Sequence, residues 1–257
     1  MARVIDINCD MGESFGRWTL GNDAALMPSI TSANIACGWH AGDPAVMRQT
    51  VELAVAHGVG IGAHVGFPDL LGFGRRRIDV TPQEVYDYTL YQAGALQAFA
   101  QAAGSRLQHV KPHGAFYVMC SQNEELCEAL CRAIKALGNG IALVMMGDIA
   151  PRVAASVGIP MAREGYIDLN YNRQGQLVLE RRKQAWDPEE VARRAVELVL
   201  HGRIPTIEGE TLQAEVETIC IHGDAPNAPE IAQRVRQRLE EAGVIVRPLG
   251  TGMTARA

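Results

Sequence analysis

Ionisable side chains recur at the ends of short apolar runs in this chain: Asp10, His64, Lys111, His113, Glu164, His222 and Asp224. Histidine titrates near neutrality and moves protons, a carboxylate orients it, and a cation steadies developing negative charge. Such a set suits acid–base opening of a polar bond by water. His113 and His222 are the acid and base candidates, with Asp10 or Asp224 orienting them and Lys111 set against an oxyanion or phosphate. Lys111 is one of only three lysines and stands in mid-run beside Pro112. An inward-facing ammonium there needs a partner charge. Arg75 and Arg76, on the glycine-flexed loop Gly72-Phe73-Gly74, suit a substrate carboxylate. Asn8, Glu13, Asn34, His40, His64 and Glu164 complete the expected substrate-binding set. Two other readings use the same residues. Asp10, His40, His64, His113 and His222 are of the right types to hold a divalent ion, as in a metal-dependent amide hydrolase or deacetylase. A non-catalytic lactam- or sugar-binding subunit would use them for affinity alone.

These residues have to be brought together by strands. Short β-rich runs lie near 3–8, 31–37, 59–64, 107–112, 141–146, 160–164 and 218–222. Helix signals alternate with them. Thr81-Pro82-Gln83-Glu84 and Ser121-Gln122-Asn123-Glu124 read as capping boxes, and Asp43, Asp148 and Asp187 as N-caps. Gly58, Gly104, Gly138, Gly158, Gly202 and Gly243 read as helix stops. Seven strands alternating with helices predict a parallel α/β fold. A closed barrel fits better than an open dinucleotide-binding sheet, because the first strand runs into a polar cluster, Asn8 to Glu13, rather than a glycine fingerprint. Strand parity puts Asp6, Asn8 and Asp10 on one face, with Gly60, Gly62 and His64, His109, Lys111 and His113, and Cys220, His222 and Asp224 on matching faces. If the sheet closes, these polar faces converge inside one mouth, with His40 and Asp43 at the rim. The stretch from Gly165 to Trp186 reads as an excursion, a hairpin turning at Asn172-Arg173-Gln174-Gly175. His57 and His201 precede glycines at helix ends and read as structural, as does His109.

Composition excludes several classes. The 257 residues carry 24 basic and 29 acidic side chains, net −5. That balance lacks the basic face that nucleic acid requires. No apolar run approaches the ~20 residues of a membrane span, and the charged start is unlike a secretory signal. A cytoplasmic protein of one domain, residues 1–257, is expected. The six cysteines show no metal-finger spacing and read as packed thiols. No G-x-x-x-x-G-K-[ST] phosphate loop occurs. Gly12-Glu13-Ser14-Phe15-Gly16 matches a nucleophile elbow in letters, but glycines at 12, 16 and 21 mark a loop there.

Six segments, in order, resemble the LamB/YcsF family. They are Asp6-Ile-Asn-Cys-Asp-Met-Gly-Glu-Ser-Phe-Gly16, Ser32-Ala-Asn-Ile-Ala-Cys-Gly-Trp-His-Ala-Gly-Asp43, Gly62-Ala-His64, Gly72-Phe-Gly-Arg-Arg76, Val110-Lys-Pro-His-Gly114 and Cys220-Ile-His-Gly-Asp224. The similarity runs from about residue 4 to about 247. It implies a glycoside hydrolase/deacetylase-like β/α barrel of seven strands. It also implies the role of the A component of a bacterial 5-oxoprolinase: ATP-dependent opening of 5-oxo-L-proline to L-glutamate together with two further subunits. ATP is then a co-substrate, held by this chain or by its partners. The chain departs from the family pattern at Leu169, where an Arg usually follows the Asp, and at Val118, where Asn is usual.

Overall fold

Seven parallel strands close on themselves in chain order. The computed structural model describes residues 2–178 and 185–250. Its barrel strands are β1 (Val4–Met11), β2 (Ser32–Ala36), β3 (Gly60–Val65), β4 (Leu107–Pro112), β5 (Ala142–Met145), β6 (Met161–Tyr166) and β7 (Thr218–Ile221). Each pairs with the next, and β7 returns to β1 with Asn8 opposite Cys220. A two-residue strand, Ile245–Val246, adds to the start of β1. The seven runs read from the sequence are these seven strands, so the closed barrel is the observed architecture.

The helices lie outside: α1 (Pro44–His57), α2 (Pro82–Ala102), α3 (Gly114–Gln122), α4 (Glu124–Leu137), α5 (Ile149–Val157), α6 (Pro188–His201) and α7 (Ala228–Glu241). Local chemistry explains their ends. Thr81 and Glu84 form the reciprocal capping box that opens α2. The Asp43 carboxylate accepts from the amides of Ala45 and Val46 to open α1, and Asp187 caps α6. Two expected caps differ. Asn123, not Ser121, caps α4, because the Ser121 hydroxyl is turned back to the Val118 carbonyl inside α3. Asp148 precedes α5 but makes no side-chain cap bond. Gly58, Gly158 and Gly202 end their helices in the left-handed conformation. The predicted hairpin is present, pairing Asn170–Tyr171 with Leu177–Val178. Part of the excursion, 179–184, lies outside the described residues. All six cysteines are buried free thiols.

Odd-numbered apolar residues of β1, such as Ile5, Ile7 and Cys9, face the helices, while the polar partners fill the barrel. Glycine makes that filling possible. A Cβ at Gly62 would fall 1.9 Å from the His109 ring, and one at Gly60 would fall 2.2 Å from Gln108. The β3–β4 register shifts at this level, which turns both Gln108 and His109 inward.

Candidate active site at the barrel mouth

The site is built on a polar core that runs up the barrel. At its base Asp6 accepts from Thr31, Ser32 and Thr218, at 2.7, 2.7 and 2.5 Å. Burial pushes the Asp6 carboxyl up to about 6, against the pull of those three hydroxyls. The Thr218 hydroxyl accepts from the Asn8 amide at 2.7 Å, and Asn8 Oδ1 accepts from Asn34 at 2.8 Å. His109 donates to Asn34 Oδ1 at 2.7 Å. Burial and then the Lys111 charge lower His109 to about 3, so its ring is neutral. Every member has its partner, as a buried polar array requires.

Lys111 sits at the top of this core and is buried. Its ammonium lies 3.0 Å from Asp10 Oδ1, 2.9 Å from Glu164 Oε1, 3.2 Å from Asn8 Oδ1 and 3.0 Å from Cys220 Sγ. Burial alone would lower it, but Asp10 foremost, with Glu164, holds it well above the ordinary range. Likewise burial works to raise Asp10, and the His64 and Lys111 charges override it to hold that carboxyl well below its usual value. Glu164 accepts from the Tyr117 and Tyr166 hydroxyls at 3.0 and 2.8 Å.

Above this layer three imidazoles gather. His64 Nδ1 donates to the Lys111 carbonyl at 2.9 Å, and its Nε2 faces His113 Nδ1 at 3.0 Å. His113 Nε2 donates to the Phe73 carbonyl at 2.7 Å. Phe73 holds a left-handed backbone (φ 53°), unusual for a side chain of its bulk. Gly74 beside it cannot carry a Cβ, which would lie 2.8 Å from the His113 ring. His40 stacks on His113 with centroids 3.8 Å apart, and Glu13 Oε1 lies 3.4 Å from His40 Nε2. Burial first, then neighbouring imidazoles, holds His40 and His113 well below the usual histidine range.

On the other side of the mouth, His222 Nδ1 lies 2.9 Å from Asp168 Oδ1, and its backbone amide donates to Asp168 Oδ2 at 2.8 Å. The His222 ring stacks on Tyr166 and is 15% exposed, more open than the other mouth histidines. Arg75 reaches from the loop after β3 to Asp224 beyond β7, at 3.1 Å.

All the expected residues except Arg76 therefore meet in or under one mouth, at the C-terminal ends of the strands. Asn8, Asn34, Glu164 and Lys111 are buried and paired within the polar core, beneath the histidines. The carboxylate bonded to His222 Nδ1 is Asp168, while Asp10 lies 3.5 Å from His64 and Asp224 pairs with Arg75. His113 donates from Nε2 to the Phe73 carbonyl, and its Nδ1 faces His64 Nε2. Arg76 is bound by Asp69 of its own loop. Ser14 exchanges hydrogen bonds with Leu20 in a loop, not an elbow. The residue missed was Asp168. It lies just past the end of β6, four residues beyond Glu164, so carrying the strand's alternation past Tyr166 finds it.

The protein is a seven-stranded β/α barrel, and a family 4 carbohydrate esterase from Streptomyces lividans shares that fold (TM-score 0.52, 11% identity, covering 99% of this chain and 97% of that one). The chain belongs to the LamB/YcsF family, whose match spans residues 5–254. The 5-oxoprolinase A component from Syntrophobacter fumaroxidans is 48% identical over 95% of this chain and 98% of its own length. A lactam utilization protein from Thermus thermophilus has 44% identity and a TM-score of 0.89, covering 96% of this chain and all of that one. The two departures from the family pattern fall in different places. Leu169 is buried and its carbonyl accepts from Arg194 at 2.5 Å, whereas Val118 is exposed on α3. No described helix is long and apolar enough to cross a membrane.

Proposed function

We propose that this chain is the lactam-opening component of an ATP-dependent 5-oxoprolinase, acting on 5-oxo-L-proline with two partner subunits in the cytoplasm. The observation that carries the chemistry is the His222–Asp168 pair at the open side of the mouth. An unstrained five-membered lactam is a poor electrophile with a poor leaving group. Phosphorylation of its amide oxygen by ATP relieves the first difficulty, releasing ADP. Water then adds to the activated carbon, losing a proton to His222. The ring C–N bond breaks as His222 returns that proton to nitrogen. The resulting γ-glutamyl phosphate takes a second water to give glutamate and phosphate. Asp168 keeps the His222 Nδ1–H in place, so that Nε2 performs both transfers and the transient imidazolium has its counter-charge. Arg75, 44% exposed, is the guanidinium set for the substrate carboxylate, with Asp224 steering it.

Support comes from the relatives' names and from the placement of an acid–base pair over a rigid polar core. The test is glutamate release from 5-oxoproline and ATP, by this chain alone and with both partner subunits. Turnover in the mixture, lost with His222→Ala, is expected. An assembled complex that releases no glutamate would overturn the reading.

A further inference from the structure

The proton count around His64 and His113 does not close with two neutral rings. Each ring's outer nitrogen faces a backbone carbonyl, Lys111 O at 2.9 Å and Phe73 O at 2.7 Å, and must carry hydrogen there. In neutral rings the two inner nitrogens, 3.0 Å apart, are then both lone pairs pointed at each other. Either a proton held between the two nitrogens or a cation bound beside them resolves the clash. An imidazole whose outer N–H is fixed by a backbone carbonyl is also the usual arrangement of a metal-ligating histidine.

Other donors converge on the same point. Glu13 Oε1 is 3.9 Å from His113 Nδ1 and 3.4 Å from His40 Nε2. One ligand atom from each of Glu13, His40, His64 and His113 lies within 4.8 Å of all the others. Tetrahedral bonds of roughly 2.0–2.1 Å place ligand atoms about 3.4 Å apart, within the span of those contacts. His40 is 1% exposed, yet neither of its ring nitrogens has a hydrogen-bond partner among the described residues. Asp10 supplies a second negative charge, with Oδ1 3.5 Å from His64 Nε2.

We propose that His64 Nε2, His113 Nδ1 and Glu13 Oε1 form a binding site for one first-row divalent cation of the zinc type. His40 lines its open side. The parallel stack of His40 on His113 keeps the His40 plane off the ion, so His40 is a neighbour rather than a fourth ligand. Two imidazoles and a carboxylate suit zinc and its first-row neighbours better than magnesium or calcium, which prefer all-oxygen shells. The ion would supply a Lewis acid beside the mouth. The inference does not depend on the lactam reading, because it is read by binding.

The test uses the full chain, stripped with a chelator, dialysed and titrated with Zn²⁺ by calorimetry, and separately loaded with Co²⁺. One equivalent of Zn²⁺ is expected for the wild type and for His57→Gln, an exposed control. Stoichiometric binding and the visible Co²⁺ bands should vanish in His64→Gln and His113→Gln variants that circular dichroism shows to be folded. Should those variants fail to fold, Glu13→Gln at the edge of the cluster serves instead, with affinity expected to fall by at least tenfold. A folded wild type that takes up neither ion would overturn the proposal. So would wild-type affinity in the folded His113→Gln or Glu13→Gln protein, or ¹⁵N imidazole spectra showing one proton shared by the two rings with excess Zn²⁺ present.

Discussion

Asp168 grips His222 twice, accepting from its backbone amide at 2.8 Å and from its Nδ1 at 2.9 Å. The double contact fixes the ring's position and its tautomer at once, leaving Nε2 as the working nitrogen. Removing either partner therefore has different consequences. His222→Ala should lower kcat for glutamate release by roughly 10²–10⁴, the usual worth of a positioned acid–base group. Asp168→Asn should also lower kcat, but it leaves the ring in place with the wrong nitrogen protonated, so KM should change little. Steady-state kinetics of the assembled complex reads both. A His222→Ala complex within twofold of wild type would remove His222 from the mechanism.

Strand parity made most of this mouth legible before the fold was known. Asp10, His64, Lys111, His113, Glu164 and His222 all follow from alternation along strands that end at one face. What alternation does not show is depth. Asn8, Lys111 and Glu164 share the inward face with His222, yet lie low enough in the barrel to be sealed by the layer above. Depth depends on strand stagger and on side-chain length, neither of which leaves a local pattern. Loop-borne contacts were invisible for a related reason. The Phe73 carbonyl meets His113 only because a left-handed residue and a neighbouring glycine fold the β3 loop over the mouth.

Lys111 neutralises two buried carboxylates, Asp10 and Glu164, at 3.0 and 2.9 Å. Lys111→Met keeps the bulk but leaves both acids uncompensated. A loss of about 3–5 kcal/mol is expected, as for other broken buried pairs. Glu164→Gln added to Lys111→Met should recover part of that loss, because one of the stranded charges is gone. Urea denaturation of the two variants measures both terms. A double variant less stable than Lys111→Met would show that Glu164 does not need the lysine charge.

Asp6 makes stability depend on pH in a predictable direction. Its carboxyl ionises near 3.8 in the unfolded chain and at about 6 in the folded one, where burial outweighs the Thr31, Ser32 and Thr218 donors and Glu164 adds repulsion. Below both values each state is protonated and the site is neutral to stability. Between them the unfolded chain has lost its proton and the folded one has not, so stability falls as pH rises through about 4 to 6 and then levels off. The gap corresponds to about 3 kcal/mol. Asp6→Asn does not titrate. Its stability relative to wild type should improve by about that amount between pH 4 and pH 7. Urea titrations at pH 4, 5, 6 and 7 test the slope, and a constant difference across them would refute it.

Two glycines of similar appearance in the sequence should behave in opposite ways. Gly62 lies under the His109 ring, where a methyl group would arrive at 1.9 Å, whereas a Cβ on Gly94 in α2 meets nothing within 4 Å. Gly62→Ala must push His109 off Asn34, and through Asn34 disturb Asp10 and Asn8. Overpacking of a filled core costs about 1–3 kcal/mol, and the broken His109 contact adds to it. Gly94→Ala gains helix propensity instead, about 0.8–1.0 kcal/mol of stabilisation. Thermal or urea unfolding of the two single variants should thus bracket the wild type. If Gly62→Ala unfolds with the wild type, the barrel interior has room that its side chains do not show.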